Sequence, residues 1–105
     1  LNINIDGMGL KDLETAYSFY NCENNILNTS KEIFSQYEGI IEGEQFNQGD
    51  HSIFAQYNVP AIAITSSDFN KVLSIAHTKN DTIDKIDLEK VVQISTALVE
   101  FIRKI

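Results

Sequence analysis

Residues 58–67 have the sequence NVPAIAITSS, which is the clearest indication of the fold class in this chain. Pro60 ends any helix before it, because the residue that precedes a proline avoids the helical region. Residues 61–65 form a nearly continuous apolar run, which is typical of a strand buried on both faces of a sheet. The segment therefore predicts an inner strand of an α/β sheet with helices on its faces.

Two further segments alternate apolar and polar residues with the period of a strand. Residues 1–6 have the sequence LNINID, and residues 14–20 have the sequence ETAYSFY. Alternation of this kind predicts half-buried strands. Because the first pattern starts without any lead-in, we expect the chain to be a piece cut from a longer one.

Three segments carry the signals of helices. Residues 24–38 repeat apolar side chains at helical spacing and are followed by Gly39, which suits a C-terminal cap. Asp50 is placed to cap a short helix, and Asp87 is placed to cap a strong final helix over residues 88–105.

The segments between these elements have no clear period. We interpret residues 40–49 as an irregular connection, with a short strand left open as an alternative, and residues 66–87 as loop. The order of elements predicts a partial three-layer α/β/α sandwich of about three strands flanked by helices. So narrow a sheet leaves an edge strand open, which pairing with a missing segment or with a second copy would relieve.

Composition and charge exclude several classes of protein. The chain has 105 residues, which suits one domain over residues 1–105. Its net charge of -7 argues against binding to nucleic acid and to an anionic membrane surface. No apolar run is long enough to span a bilayer, and the single cysteine, Cys22, excludes an internal disulfide framework.

Histidine and aspartate residues gather in three places where they could carry chemistry. Asp6 ends a predicted strand, and open α/β sheets bind their ligands at the carboxyl ends of strands. If that strand and residues 61–65 run parallel, His77 approaches the same rim of the sheet. The remaining candidates are Asp50, His51, Asp81, Asp84 and Asp87.

Each candidate also has an ordinary explanation, which the residues taken singly favour. A lone loop histidine is usually solvated or hydrogen-bonded. Asp84 and Asp87 suit the N-terminus of the last helix, where the helix dipole favours anions. Asp81 suits a turn, and Asp50 and Asp6 need no role beyond capping. No GxSxG elbow or phosphate-binding glycine loop offers another chemistry.

Taken in order, the motifs resemble a known family. They are NIDGMG at residues 4–9, GDHSIFAQYNVPAIAIT at residues 49–65 and HTKNDTIDKID at residues 77–87, followed by an amphipathic helix. The series resembles the C-terminal part of the co-catalytic zinc aminopeptidase family, whose relatives include bacterial leucyl-type aminopeptidases, glutamate carboxypeptidase and glutaminyl cyclases. The resemblance covers nearly the whole chain, and its most specific element is His-Thr-x-x-Asp-Thr.

The resemblance implies two zinc ions in the complete domain and roles for five residues. His77 would be a terminal ligand of one zinc, and Asp6 a carboxylate ligand of the other. Asp50 and His51 would belong to the wall of the substrate pocket and its support, and Asp81 would orient the ligands. Imidazole and carboxylate groups suit Zn²⁺. Two zinc ions that share a water lower its pKa and polarise the scissile carbonyl.

The chain departs from the family pattern in three respects. Asn58 stands where many members have glycine, and asparagine is the next best residue for a left-handed turn. Gln48 stands where some members have a tyrosine, so no oxyanion-stabilising role is carried over to that position. The family's His-x-Asp and Glu-Glu pairs, which supply further ligands and the general base, belong upstream and do not occur in these 105 residues.

We therefore predict the C-terminal part of a zinc-dependent aminopeptidase, secreted or in the cell envelope, that removes N-terminal residues from peptide substrates. The chain alone is expected to bind zinc weakly and to be inactive, with no catalytic residue of its own. Two alternatives stay open: a non-catalytic α/β module that binds peptides or partners, and self-association through an exposed sheet edge. We expect no binding to nucleic acid and no insertion into a membrane.

Overall fold

A four-stranded mixed sheet forms the middle layer of the computed structural model, which describes residues 1–105. The strands are β1 (Asn2–Ile5), β2 (Thr15–Tyr20), β3 (Ile40–Glu42) and β4 (Ala61–Ser66), in the spatial order β1-β4-β2-β3. β4 pairs parallel with β1 and antiparallel with β2, and β3 pairs parallel with β2. β4 thus lies inside the sheet, as its apolar run predicted, and all six of its residues are buried.

Four α-helices flank the sheet. They are α1 (Asn24–Phe34), α2 (His51–Gln56), α3 (Phe69–Ile75) and α4 (Leu88–Lys104), and a short 3-10 turn, Ile83–Lys85, comes before α4. α4 begins where the sequence predicted, because the Asp87 carboxylate accepts a hydrogen bond from the Glu89 N–H at 2.9 Å. None of the helices combines the length and the apolar character that crossing a membrane requires.

The side chains of β4 alternate between two packed layers. Ile62 and Ile64 belong to the main core, together with side chains from α1 and α4. Ala61 and Ala63 belong to a second cluster with Tyr20, and Ala55 of α2 packs against it. Burying each isoleucine contributes about 1.5–3 kcal/mol. Helices on both faces confirm the predicted α/β/α layering.

The segments without a clear period contain two elements. The short strand left open for residues 40–49 is present, because residues 40–42 pair with β2 at its edge, and the sheet has four strands where about three were expected. The stretch over residues 66–87 is not all loop, because it contains α3. The Asp68 side chain caps this helix by accepting a hydrogen bond from the Lys71 N–H at 3.1 Å. Seven residues make less than two helical turns, so α3 leaves no period in the sequence.

The predicted end of the first helix is also wrong. α1 stops at Phe34 rather than at residue 38. The Gln36 N–H donates to the Ile33 carbonyl oxygen, and the Tyr37 N–H donates to the Phe34 carbonyl oxygen, both at 3.1 Å. Bonds of this i to i+3 type tighten the last turn of a helix. Gly39 adopts a φ of +89°, so it serves the turn into β3 rather than the helix cap.

Candidate functional site

Asp6 lies at the carboxyl end of β1, where pairing with β4 determines its position. Its N–H donates to the Ile64 carbonyl oxygen at 3.0 Å, and the Ser66 hydroxyl donates to the Gly7 carbonyl oxygen at 2.7 Å. Gly7 has a φ of +67°, and a Cβ atom there would lie 2.6 Å from Val72 Cγ1. Glycine therefore allows both the sharp turn after Asp6 and the close approach of α3.

His77 occupies a tight turn at the end of α3. The Thr78 N–H donates to the Ile75 carbonyl oxygen at 3.1 Å, Ala76 has φ -55° and ψ 135°, and His77 has φ 60°. These features describe a type II turn with His77 at the third position, which normally holds glycine or asparagine because φ is positive there. A histidine at such a position costs more conformational energy than glycine would.

Asp6 and His77 line one cavity of about 170 Å³. Asp81 lines it as well, and no lysine or arginine does. Most of the remaining wall is apolar and includes Met8 and Ile86. The two segments meet because β1 and β4 run parallel, which is the condition that the sequence left open.

The donors in this cavity fit part of a zinc site. One imidazole and two carboxylates are groups that zinc binds. However, no group of three or more histidine, cysteine, aspartate or glutamate residues lies close enough together to hold a metal ion. A catalytic zinc takes three protein ligands. The residues of this cavity therefore do not form a complete zinc site.

His51 lies in the interior and is not among the residues that line this cavity. Its fully buried ring packs between the rings of Tyr20 and Phe46, whose centroids are each 4.7 Å from its own. Its Nε2 lies 2.8 Å from the Phe46 carbonyl oxygen, which can only accept, so Nε2 carries a proton. In the neutral ring, Nδ1 accepts from the Asn4 side-chain nitrogen at 3.4 Å.

The backbone of Phe46 is the anchor point for this histidine. The Tyr20 hydroxyl donates to the Phe46 carbonyl oxygen and accepts from the Phe46 N–H, both at 2.8 Å. Sequence reasoning missed Tyr20, Phe46 and Asn4. Asn4 stands at a polar position of an alternating strand, so nothing in the pattern marks it, and its partner 47 residues away could not be read from the sequence.

Asp50 stands at the N-cap position of α2, but its carboxylate makes no capping hydrogen bond, so the predicted capping role is wrong. Instead, the Ser52 hydroxyl donates to the Gly49 carbonyl oxygen at 2.8 Å. Gly49 has its own requirement, because a Cβ atom there would lie 2.8 Å from His51 Nδ1. The segment that carries Asp50 is therefore shaped around the buried His51.

Of the two aspartates expected at the N-terminus of α4, only Asp87 is observed in that role. Asp87 caps the helix. A hydrogen bond from the Thr82 side chain lowers the pKa of Asp84, and the charges of Lys85 and Lys11 lower it further. Asp87 thus serves the start of α4, whereas Asp84 interacts with Thr82 at the 3-10 turn before it.

Cys22 offers no activated nucleophile. Its thiol donates to the carbonyl oxygens of Tyr20 and Ala61, at 3.4 Å and 3.3 Å. Burial raises the pKa of this thiol, although both hydrogen bonds act in the opposite direction. The thiolate, which is the nucleophilic form, is therefore disfavoured.

A protein-family model identifies the relatives of this chain. The model of "Peptidase family M28" matches residues 1–102, which include Asp6, His51 and His77. Comparisons with curated proteins and with solved structures found no match. The family consists of metallopeptidases that typically depend on zinc, in agreement with the resemblance that the ordered motifs carry. Since the match covers almost the whole length, the chain belongs to peptidase family M28.

Proposed function

We propose that the chain is the C-terminal part of a zinc-dependent aminopeptidase domain, which removes N-terminal residues from peptides. The observation that carries the proposal is the cavity shared by Asp6 and His77 in a member of a peptidase family. It brings a carboxylate and an imidazole to one rim of the sheet from segments far apart in the chain. The positive φ of His77 adds support, because strain of this kind is common at functional positions.

In this proposal His77 and Asp6 are terminal ligands, one for each of two zinc ions. Bound zinc would polarise the scissile carbonyl and lower the pKa of a shared water. Asp81 would orient the ligands from within the same cavity. Asp50 and His51 would support the pocket wall, and His51 would do so indirectly, through its hydrogen bond to Phe46.

We further propose that the chain on its own binds zinc weakly and does not hydrolyse peptides. Its two histidines lie in different places, one buried and one at the cavity, so a second imidazole is not available there. The residues that the family pattern uses as general base and as further ligands do not occur in this sequence. Two terminal ligands would hold a metal much less tightly than a complete set.

The test combines calorimetric titration with zinc and an assay for release of the anilide from aminoacyl-anilides. We expect weak zinc binding and no turnover. His77→Asn and Asp6→Asn should each weaken the binding further. Asp12→Asn, which changes an exposed carboxylate that does not line the cavity, is the matched control and should have no effect. Tight stoichiometric zinc binding with turnover would show that the site is complete. Zinc binding that neither Asp6→Asn nor His77→Asn weakens would show that the metal binds elsewhere.

The unpaired outer edge of β1 favours a second candidate function, the self-association of this chain. β1 pairs with β4 on one side only, and Ile5 is 50% exposed and Leu1 48% exposed beside the free edge. Exposed strand edges of this kind pair readily with other strands. Light scattering should then report a dimer that Ile5→Lys disrupts, whereas a clean monomer at every concentration would count against this candidate.

A further inference from the structure

Lys90 is an unusual side chain in the first turn of α4. It is half-buried, and its Nζ atom lies among the backbone carbonyls of the loop that follows Asp6. It donates to the carbonyl oxygens of Leu10 and Lys11 at 2.9 Å each, and to that of Leu13. An ammonium group has three N–H donors, so all of them are used within this loop.

The charge of Lys90 is satisfied by these carbonyl groups alone. The ion pairs of the chain are formed by Lys31 and Lys104, which are about half exposed, and Lys90 has no carboxylate partner. Hydrogen bonds from a charged donor are roughly twice as strong as neutral ones. Three such bonds to one short loop therefore hold its backbone firmly against α4.

The same loop is paired with the segment that precedes α4. The Lys11 N–H donates to the Lys85 carbonyl oxygen at 3.0 Å, and the Asp87 N–H donates to the Gly9 carbonyl oxygen at 2.8 Å. Leu10 and Ile86 form an antiparallel bridge between these two bonds. We call this pairing of residues 9–11 with residues 85–87 the seam. It joins the loop after Asp6 to the segment that follows His77.

The seam also closes the candidate site. Leu10 comes from one side of the seam and Ile86 from the other, and both line the cavity that contains Asp6 and His77. A change in the spacing of the seam would therefore change the spacing of the two candidate ligands. One side of the seam is residues 9–11, and the other side, residues 85–87, leads directly into α4. Lys90 of α4 bonds the carbonyl groups of Leu10 and Lys11 and so links the first side to this helix.

We propose that Lys90 is a positioning residue, which holds Asp6 and His77 in their relative places without touching metal or substrate. The role rests on the proposed function, because positioning matters only where these two side chains act together. The structural link itself can be tested without metal. Groups that hydrogen-bond directly to metal ligands are worth about 10–100-fold in metal affinity, and Lys90, which acts through the backbone of the loop, should contribute at the lower end of that range or below it.

The variants are Lys90→Met, which keeps the side-chain length and removes the ammonium, and Lys104→Met as the matched control. Lys104 lies on the same helix and pairs with Glu32 at 2.7 Å, far along α4 from the seam. In the metal-free chain, NMR should show altered His77 ring resonances in Lys90→Met. Amide exchange of Lys11 and Asp87 should be at least about tenfold faster, since their hydrogen bonds form the seam.

Lys104→Met should leave the His77 ring resonances and the amide exchange of the seam unchanged. Lys90→Arg should keep both close to wild type, because a guanidinium can donate to several carbonyl groups. If Lys90→Met does not fold, Lys90→Gln, which keeps a neutral donor, replaces it in the same comparison. A folded Lys90→Met or Lys90→Gln variant with wild-type His77 resonances and wild-type exchange in the seam would overturn the proposal.

Zinc titration tests the consequence for the site. We expect Lys90→Met to weaken zinc binding by up to about tenfold, and Lys104→Met to leave it unchanged. Equal zinc affinity in Lys90→Met and the unmodified chain would contradict the positioning role. If the unmodified chain binds no zinc, the proposed metal function fails, and the metal-free NMR comparison still decides whether Lys90 positions the two segments.

Discussion

Asp6 and His77 line the same cavity, although one follows a strand and the other ends a helix. The Asp6 N–H is bonded to the Ile64 carbonyl oxygen of β4, and α3, which leads to His77, packs on Gly7 through Val72. The carboxyl ends of two parallel strands thus deliver both residues to one rim. Contacts at this rim and elsewhere in the fold lead to four predictions.

Mutation of His51 should destabilise the fold, whereas mutation of His77 should not. His51→Ala should lower the free energy of unfolding by about 2–4 kcal/mol, because it leaves a cavity between Tyr20 and Phe46. It also leaves the Asn4 amide without its acceptor. Urea denaturation measures the change.

His77→Asn is the matched control for the buried histidine. Asparagine tolerates a positive φ better than histidine, so this variant should keep the free energy of unfolding within about 0.5 kcal/mol of wild type. A loss as large as that of His51→Ala would contradict the view that His77 is retained for its imidazole and not for stability.

Removal of the aspartate before α4 should lower the free energy of unfolding, whereas removal of the aspartate before α2 should not. Asp87→Ala should cost about 1 kcal/mol of unfolding free energy, because the Asp87 carboxylate accepts from the Glu89 N–H. Asp50→Ala should stay within about 0.5 kcal/mol, since its carboxylate makes no capping bond. Thermal denaturation followed by circular dichroism compares them, and equal losses would be inconsistent with the observed caps.

Gly7→Ala should destabilise the chain by about 2 kcal/mol or more. A positive φ costs an alanine about 1–2 kcal/mol, and the new methyl group would lie 2.6 Å from Val72 Cγ1. The double variant Gly7→Ala with Val72→Ala removes this clash. A double-mutant cycle in urea should therefore give a favourable coupling of about 1 kcal/mol, and strict additivity would indicate that α3 does not press on this turn.

Stability should fall at alkaline pH through Tyr17. Burial raises the pKa of its phenol, and the charge of Glu42 raises it further, whereas Lys31 acts in the opposite direction. Because the folded-state pKa lies above the unfolded value of about 10, the stability contribution is complete below that pH. It is lost as the pH rises through the folded-state pKa.

Unfolding free energies measured from about pH 8 to about pH 11 test this prediction, and Tyr17→Phe should make the decline shallower. Tyr37 also contributes to the loss of stability at alkaline pH, because the hydrogen bond from its hydroxyl to Glu100 raises its pKa. Tyr57→Phe, at a ring that is 78% exposed, is the control. Identical declines in Tyr17→Phe and the control would refute the role of Tyr17.

Local patterns predicted the elements that are long or strongly marked. The start of α4 followed from its cap and its apolar period. The left-handed turn at Asn58, which has φ 57°, followed from the residue type. α3 was missed and β3 was left only as an alternative, because seven and three residues are too few to establish a period.

Sequence alone predicted the α/β layering, the inner strand at residues 61–65 and the motifs that carry the family resemblance, because each rests on residues close together in the chain. The burial of His51 and the cavity that His77 shares with Asp6 depend instead on contacts between distant parts of the chain. His51 and His77 both stand in short polar segments, and their surroundings come from distant pairings. The parallel register of β1 with β4 and the bonds of Lys90 and the seam are long-range contacts, which no local period specifies.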